Sequence, residues 1–213
     1  RVCHPAVWME DRDAGATFSL ALKHLHGEGI LRRNPAEAAR LFRRAANQGH
    51  APSQHNLGIC FARGEGVQQD LAEAARWFEI GAGQGDAMSQ EALGQCYAEG
   101  KGVSQDYDEA VRLYRLSAGA GNSGAQVKLA KLLFMRGDGG RTGRLPTRED
   151  LAECVRMYRL AAEQNHQLAI FSLGNILING YDGNRRSCAR ARSSSRAPRS
   201  SRRTRCSSWS RSQ

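Results

Sequence analysis

The sequence predicts an all-α fold in which pairs of antiparallel helices stack into an α/α superhelix, or solenoid. In the 213-residue sequence, a leucine followed by glycine or alanine returns at intervals of 37, 36, 36 and 44 residues, at Leu20, Leu57, Leu93, Leu129 and Leu173. Apolar residues within each interval recur at three- and four-residue steps, which is the period of one helix face. Alternating segments rich in Val, Ile and Thr, which would predict strands, are absent. One helical pair cannot bury its apolar face alone, so tandem copies predict a stacked array.

The best-defined unit indicates where each helix begins and ends. Asp70 suits an N-cap, Gly85 ends the first helix in the left-handed conformation, and Ala87 begins a second helix that ends at Gly100. The apolar face of the first helix comprises Leu71, Ala74, Ala75, Phe78 and Ala82. Each unit is therefore predicted to be two antiparallel helices joined by short glycine turns. The residues in the column of Asp70 are Asn34, Asp106 and Asp150.

The Gly-x-Gly sequences at residues 27–29, 64–66 and 100–102 are predicted to be tight turns with positive φ. They follow a helix, and a phosphate there would meet the negative end of the helix dipole, so phosphate binding is not expected. Small residues at Gly58, Gly94 and Ala130 should let neighbouring helices approach closely. Aromatic side chains should fill the space between units, at Trp77, Phe78 and Tyr114.

These columns coincide with those of a known repeat. The segment from Ala87 to Gly121 reads AMSQEALGQCYAEGKGVSQDYDEAVRLYRLSAGAG, which resembles the Sel-1-like repeat, a relative of the tetratricopeptide repeat. The resemblance covers residues 14–183. It implies an α/α superhelix that serves as a scaffold or adaptor in multiprotein assemblies, as in endoplasmic-reticulum-associated degradation, chitin synthase regulation or signalling.

The predicted organisation is an N-terminal extension (1–13), a solenoid (14–183) and a tail (184–213). The solenoid comprises four helical pairs and one extra helix over residues 167–179, which we expect to lack its packing partner. An insert at 140–147 lengthens the interval before the last unit and predicts a surface loop, or alternatively a partner contact.

The net charge of +10 arises in the tail. Residues 184–213 contain ten Arg, ten Ser and no acidic residue, whereas residues 1–183 have equal numbers of basic and acidic residues. Such a composition predicts disorder. The tail is either an Arg/Ser segment that binds RNA or acidic surfaces electrostatically, or a stretch read out of frame. An RNA-associated role is therefore the second functional hypothesis, and a nucleic-acid partner is expected only if the tail is genuine.

No catalytic, cofactor or metal site is predicted. The six His fall in no zinc-binding spacing, and neither a phosphate-binding loop nor an S-x-x-K nucleophile motif is present. A secreted branch of the resembled family has two cysteines in each repeat and a reported β-lactamase-like activity, which is a third hypothesis. In this chain each repeat unit has at most one cysteine; Cys60, Cys96 and Cys154 each lie in a different unit. That disfavours both the secreted branch and an oxidising compartment.

The sequence also bears on the cellular compartment of the protein. No 18-residue apolar window predicts a membrane span. We expect a cytoplasmic protein, although a removed signal peptide stays open because the first residue is Arg1.

Binding is the function that this architecture predicts. Relative to the repeated leucine, positions −1, +2 and +6 share a helix face, and these positions vary between units whereas the core columns barely vary. We expect this face to line the concave surface and to bind an extended peptide or a partner helix; the alternative is a merely solvated face. The predicted contact residues are Asn56, Arg63, Gln95, Glu99, Lys128, Lys131 and Asn175. The same face includes Ile59, Ala92, Met135, Ser172 and Asn179. Oligomeric state is not indicated.

Overall fold

A computed structural model describes residues 13–29, 32–136 and 147–178. Within these ranges the chain forms nine α-helices and no strand, which confirms the all-α prediction. The helices are α1 (Ala14–His26), α2 (Pro35–Asn47), α3 (Ala51–Arg63), α4 (Leu71–Gly83), α5 (Ala87–Glu99), α6 (Tyr107–Gly119), α7 (Ser123–Arg136), α8 (Arg148–Glu163) and α9 (Gln167–Ile178). The tail and nearly all of the predicted N-terminal extension and insert lie outside the described residues.

Side-chain caps explain where the helices begin. The carboxylate of Asp70 accepts hydrogen bonds from the backbone N–H groups of Ala72 and Glu73, both at 3.0 Å. Asn34 and Asp106 cap α2 and α6 in the same way, as their shared column predicts. Asp150 differs, because α8 begins earlier: Thr147 is the N-cap, and its hydroxyl accepts the N–H of Asp150 at 3.1 Å. Asp150 therefore lies in the first turn.

Consecutive helices pack against each other along the chain, and α3 also contacts α5. The core is a continuous band between them, in which Phe42, Leu57 and Leu133 are fully buried. Tyr97 packs against both halves of this band. The stacked arrangement confirms the predicted solenoid.

Glycines permit the close packing between helices. A Cβ atom at Gly58 would lie 2.5 Å from a ring carbon of Phe78, and one at Gly94 would lie 2.9 Å from the ring of Tyr114. Both aromatic residues belong to the following helix, so the ring replaces the missing side chain. At Gly174, in α9, a Cβ would meet nothing within 4 Å.

The second glycine of the Gly-x-Gly turns at 64–66 and 100–102 has a further role. Gly66 and Gly102 have φ values of 76° and 74°, which a non-glycine residue adopts at a cost. A Cβ at Gly102 would also overlap the backbone carbonyl of Leu71, at the start of α4 in the preceding unit. Gly66 stands in the same relation to Pro35 of α2. The turn thus rests directly on the neighbouring repeat.

A buried glutamine column links each unit to the preceding one. The side-chain amides of Gln54, Gln90 and Gln126 donate to the carbonyls of Ala46, Ala82 and Ala118, at 3.2, 3.4 and 3.4 Å. These carbonyls lie in the last turn of α2, α4 and α6, where each also accepts the backbone N–H of the glycine three residues later. Glutamine three residues before the repeated leucine is the sequence signal for this bond.

The last helix exposes much of its apolar surface. α9 packs against α8, but Leu168, Phe171 and Ile178 are 54%, 68% and 82% exposed. The turn before it uses Asn165 in the left-handed conformation (φ 60°), where the other units have glycine. Asparagine tolerates this conformation better than other non-glycine residues.

Candidate functional site

A groove crosses the face formed by α3, α5 and α7, the first helices of three successive pairs. Its first cleft, between α3 and α5, has a volume of about 600 Å³. Ala74 and Phe78 of α4 form its floor, and Ile59 and Ala92 form part of its walls. The second cleft, between α5 and α7, measures about 390 Å³ and has Tyr114 of α6 at its base. Gln95 and Lys128 line both clefts, so the two adjoin each other.

The two clefts are the same site repeated. Phe78 and Tyr114 occupy one repeat column, and each closes the bottom of a cleft between successive first helices. Leu71 and Tyr107 share another column, at the start of α4 and α6, and both line the groove while 37% and 52% exposed. The groove therefore offers two apolar recesses spaced by one repeat.

Most of the predicted contact residues lie together in this groove. They are Arg63, Gln95, Glu99, Lys128 and Lys131, joined by Ile59, Ala92 and Met135 of the same face. Asn56 lines neither cleft, because its short side chain donates to the carbonyl of Pro52 in its own helix at 2.8 Å. Asn175 is exposed on α9, also outside both clefts, and Asn179 lies outside the described residues.

Polar side chains of α5 and α7 form one network along the groove. The ammonium of Lys128 lies 2.8 Å from a carboxylate oxygen of Glu91 and 2.8 Å from the side-chain oxygen of Gln95. Gln95 in turn donates to Glu99 at 3.0 Å, and Glu99 pairs with Lys101 at 2.6 Å. The hydrogen bond from Lys101 holds the pKa of Glu99 below its ordinary value. Both groove carboxylates are thus neutralised by lysines of the groove itself.

His55 contributes an apolar surface rather than a charge. Its ring lies 5.7 Å from that of Phe78, and its Nδ1 atom is buried without a hydrogen-bond partner. Burial lowers the pKa of His55, an effect that the nearby carboxylates of Asp86 and Glu91 oppose. The imidazole is therefore neutral near pH 7, and it lines the first cleft beside Phe78.

Several groove residues are not among those predicted from the sequence. They are His55, Leu71, Met88, Glu91, Lys101, Tyr107 and Leu132. Leu71 and Tyr107 had a detectable signal, since an apolar side chain at the exposed first position of a helix recurs in two units. Met88, which is 52% exposed, shares its column with the exposed Leu168, but glycine or proline stands there in the other units. Lys101 has glutamate in its column in two other units.

The described residues also bear on the enzyme and RNA hypotheses. Cys60, Cys96 and Cys154 are free thiols in three different repeats, and burial raises the pKa of Cys60 to about 11 and that of Cys154 to about 12. No cluster of three or more His, Cys, Asp or Glu side chains that could hold a metal ion occurs among them. No helix in the described ranges is long and apolar enough to cross a membrane. The Arg/Ser tail lies outside those ranges.

Comparison with known proteins agrees with the repeat structure. The chain is 28% identical to a Sel1 repeat protein from Oxalobacter formigenes, with a TM-score of 0.69, over 87% of this chain and 74% of that one. It is also 28% identical, with a TM-score of 0.69, to a protective antigen of uropathogenic Escherichia coli that displays an SLR fold. That match covers 85% of this chain but spans only 38% of the antigen. No curated protein matches the chain.

Four successive segments match the Sel1 repeat itself, at residues 14–50, 51–86, 87–122 and 123–166. They coincide with the helical pairs α1–α2, α3–α4, α5–α6 and α7–α8. Sel1 repeats generally serve as protein-interaction scaffolds. The chain belongs to the Sel1 repeat family.

Proposed function

We propose that this protein is a non-catalytic scaffold that binds a peptide or a partner helix in the groove formed by α3, α5 and α7. The observation that carries the proposal is that the two clefts lie next to each other and share Gln95 and Lys128. A concave, mostly apolar surface with a few polar groups is the usual form of a binding site. Its floor belongs to the repeated core, whereas its walls carry the residues that vary between units.

The physical reason lies in how the solenoid is built. Stacking fixes the spacing of successive first helices, so the groove exists before any ligand binds. A preformed groove reduces the ordering cost of binding, which favours recognition of a flexible segment. The partner's backbone can span both clefts and place one side chain in each.

The test is a selection of phage-displayed random twelve-residue peptides on the full chain. The variant combines Arg63→Ala, Gln95→Ala and Lys131→Ala, which remove groove contacts without opening the core. The matched control combines Arg40→Ala, Arg76→Ala and Arg112→Ala. These arginines are exposed on α2, α4 and α6, and each pairs with a glutamate three residues earlier.

We expect the wild-type chain and the control to enrich a common set of peptides that the groove variant fails to retain. Helical circular dichroism of all three proteins checks that they are folded. Equal retention by the folded groove variant would refute the proposal, because the bound surface would then lie elsewhere.

A further inference from the structure

The charges that line the groove do not balance. Four cations and two carboxylates line the two clefts: Arg63, Lys101, Lys128 and Lys131, with Glu91 and Glu99. The carboxylates are engaged within the groove, Glu91 with Lys128 and Glu99 with Lys101. Arg63 and Lys131 are exposed, and neither forms an ion pair with another described residue. The groove therefore presents two cations whose counter-charge is not supplied by the groove itself.

We infer that the groove binds an acidic peptide segment, in which two carboxylates flank apolar side chains. This inference rests on the proposed function and specifies the partner's chemistry. Arg63 lines only the first cleft and Lys131 only the second, so the cations stand on opposite sides of the shared wall of Gln95 and Lys128. A carboxylate meets each of them, and the apolar side chains enter the recesses above Phe78 and Tyr114.

The spacing of the two carboxylates follows from helix packing. Neighbouring helices pack roughly 10 Å apart, which puts α3 and α7, on either side of α5, on the order of 20 Å apart. An extended chain advances about 3.3 Å per residue, so the two carboxylates are about six residues apart. Lysine and arginine side chains are long and mobile, and they accommodate about one residue of variation either way.

A peptide fits these charges better than a nucleic acid does. A single-stranded nucleic acid brings a negative phosphate with every nucleotide, and its binding grooves track the backbone with continuous positive charge. Among the described residues that line the groove, two cations form no ion pair, and the carboxylates of Glu91 and Glu99 lie between them. Two isolated charges separated by apolar recesses instead match two acidic side chains with apolar residues between them.

The experiment compares the composition of peptides selected by three full-length proteins. The first is the wild type. The second combines Arg63→Glu and Lys131→Glu. The third combines Arg156→Glu and Arg159→Glu, two exposed α8 residues outside both clefts, and it has the same net charge as the second. All three keep the basic tail, so any acidic peptides that the tail retains appear equally in each selection.

We expect the wild type and the α8 control to select peptides enriched in Asp and Glu around apolar residues. The groove variant should lose this preference and favour Lys and Arg at the same positions. For the peptide most enriched on the wild type, the groove variant should raise Kd by about tenfold, since two exposed ion pairs are lost. Raising NaCl from 50 to 300 mM should weaken binding of this peptide to the wild type but not to the groove variant, because salt screens the repulsion between the variant's two glutamates and the carboxylates of the peptide.

The outcomes separate this inference from the proposed function. The inference would be overturned if the peptides that bind the groove showed no enrichment in Asp and Glu. It would also be overturned if the groove variant selected the same acidic peptides as the wild type. In either case the groove would still be a peptide-binding site. If no peptide depends on the groove at all, the proposed function fails first. The acidic-peptide inference would also be overturned if a twelve-nucleotide RNA displaced the selected peptide from the wild type but not from the groove variant. The neutral pair Arg63→Gln and Lys131→Gln provides a second variant, which should show a smaller change in the same direction.

Discussion

Gly102→Ala tests whether the Gly-x-Gly turn couples neighbouring repeats. Two effects act at this position. The φ value of 74° is unfavourable for alanine, and a Cβ would overlap the carbonyl of Leu71 and approach the backbone N of Ala72. Both neighbours are backbone atoms at the start of α4, so no side chain can rotate away. The turn and α4 must separate, which weakens the contact between two repeats.

The magnitude follows from a comparison with Gly85. Gly85 has a φ of 84°, but a Cβ there would meet nothing within 4 Å, so Gly85→Ala has the conformational cost alone. That cost is about 1–2 kcal/mol, reduced by the lower entropy of the unfolded chain, which leaves roughly 1 kcal/mol. Forcing extra volume into a packed site adds about 1–3 kcal/mol. We therefore expect Gly102→Ala to destabilise the fold by about 2–4 kcal/mol.

Equilibrium urea unfolding of the full chain, followed by circular dichroism, measures both variants. An unchanged urea dependence of the unfolding free energy would show that the comparison concerns stability and not a changed denatured state. Equal losses for Gly85→Ala and Gly102→Ala would refute the proposed coupling, because positive φ alone would then account for both.

Three further predictions concern the core, pH and the contact between repeats. Leu129→Ala, at a position only 1% exposed, should cost about 2–5 kcal/mol in urea unfolding, whereas Leu116→Ala, at a surface position, should cost about 0.5 kcal/mol or less. Burial lowers the pKa of His55 below 6.5, so near that pH the unfolded chain binds a proton that the folded chain does not. The free energy of unfolding should therefore fall as the pH drops below 6.5. Urea unfolding between pH 5 and 6.5 should show that His55→Gln reduces this pH dependence of stability. Arg115 of α6 donates two hydrogen bonds to Glu153 of α8, at 2.8 and 2.6 Å, but both side chains are partly exposed. A double-mutant cycle should therefore give a coupling energy of about 1 kcal/mol or less, and 0.5 M NaCl should reduce it. A coupling energy that does not change with salt would contradict this prediction.

The sequence predicts well where the interaction involved is local. The caps at Asn34, Asp70 and Asp106 act on N–H groups two or three residues away, so the repeat column alone identifies them. Asp150 shows the limit of column matching. The longer α8 begins with its own cap, Thr147, and the residue aligned with Asp70 consequently lies inside the helix.

The candidate site was likewise predicted in part from the sequence. Helical periodicity places Arg63, Gln95 and Lys131 on one face, and the structure brings them to one groove. Periodicity does not reveal that the side-chain amide of Asn56 donates a hydrogen bond within its own helix. Nor does it reveal that the longer side chain of Lys128, in the same column, reaches across to α5. Side-chain length and the immediate surroundings decide which members of a column reach the groove.

By itself, the sequence determined the helical repeats, their caps and their glycine turns, because these depend on backbone geometry and on contacts within a few residues. Only the tertiary structure decided which charges remain available. Glu91 and Lys128 stand 37 positions apart and share no repeat column, yet stacking brings their charged groups within 2.8 Å. That pairing neutralises Lys128, whereas Arg63 and Lys131 line the groove without forming an ion pair with a described residue. A long-range ion pair of this kind depends on how the repeats pack and not on their order along the chain.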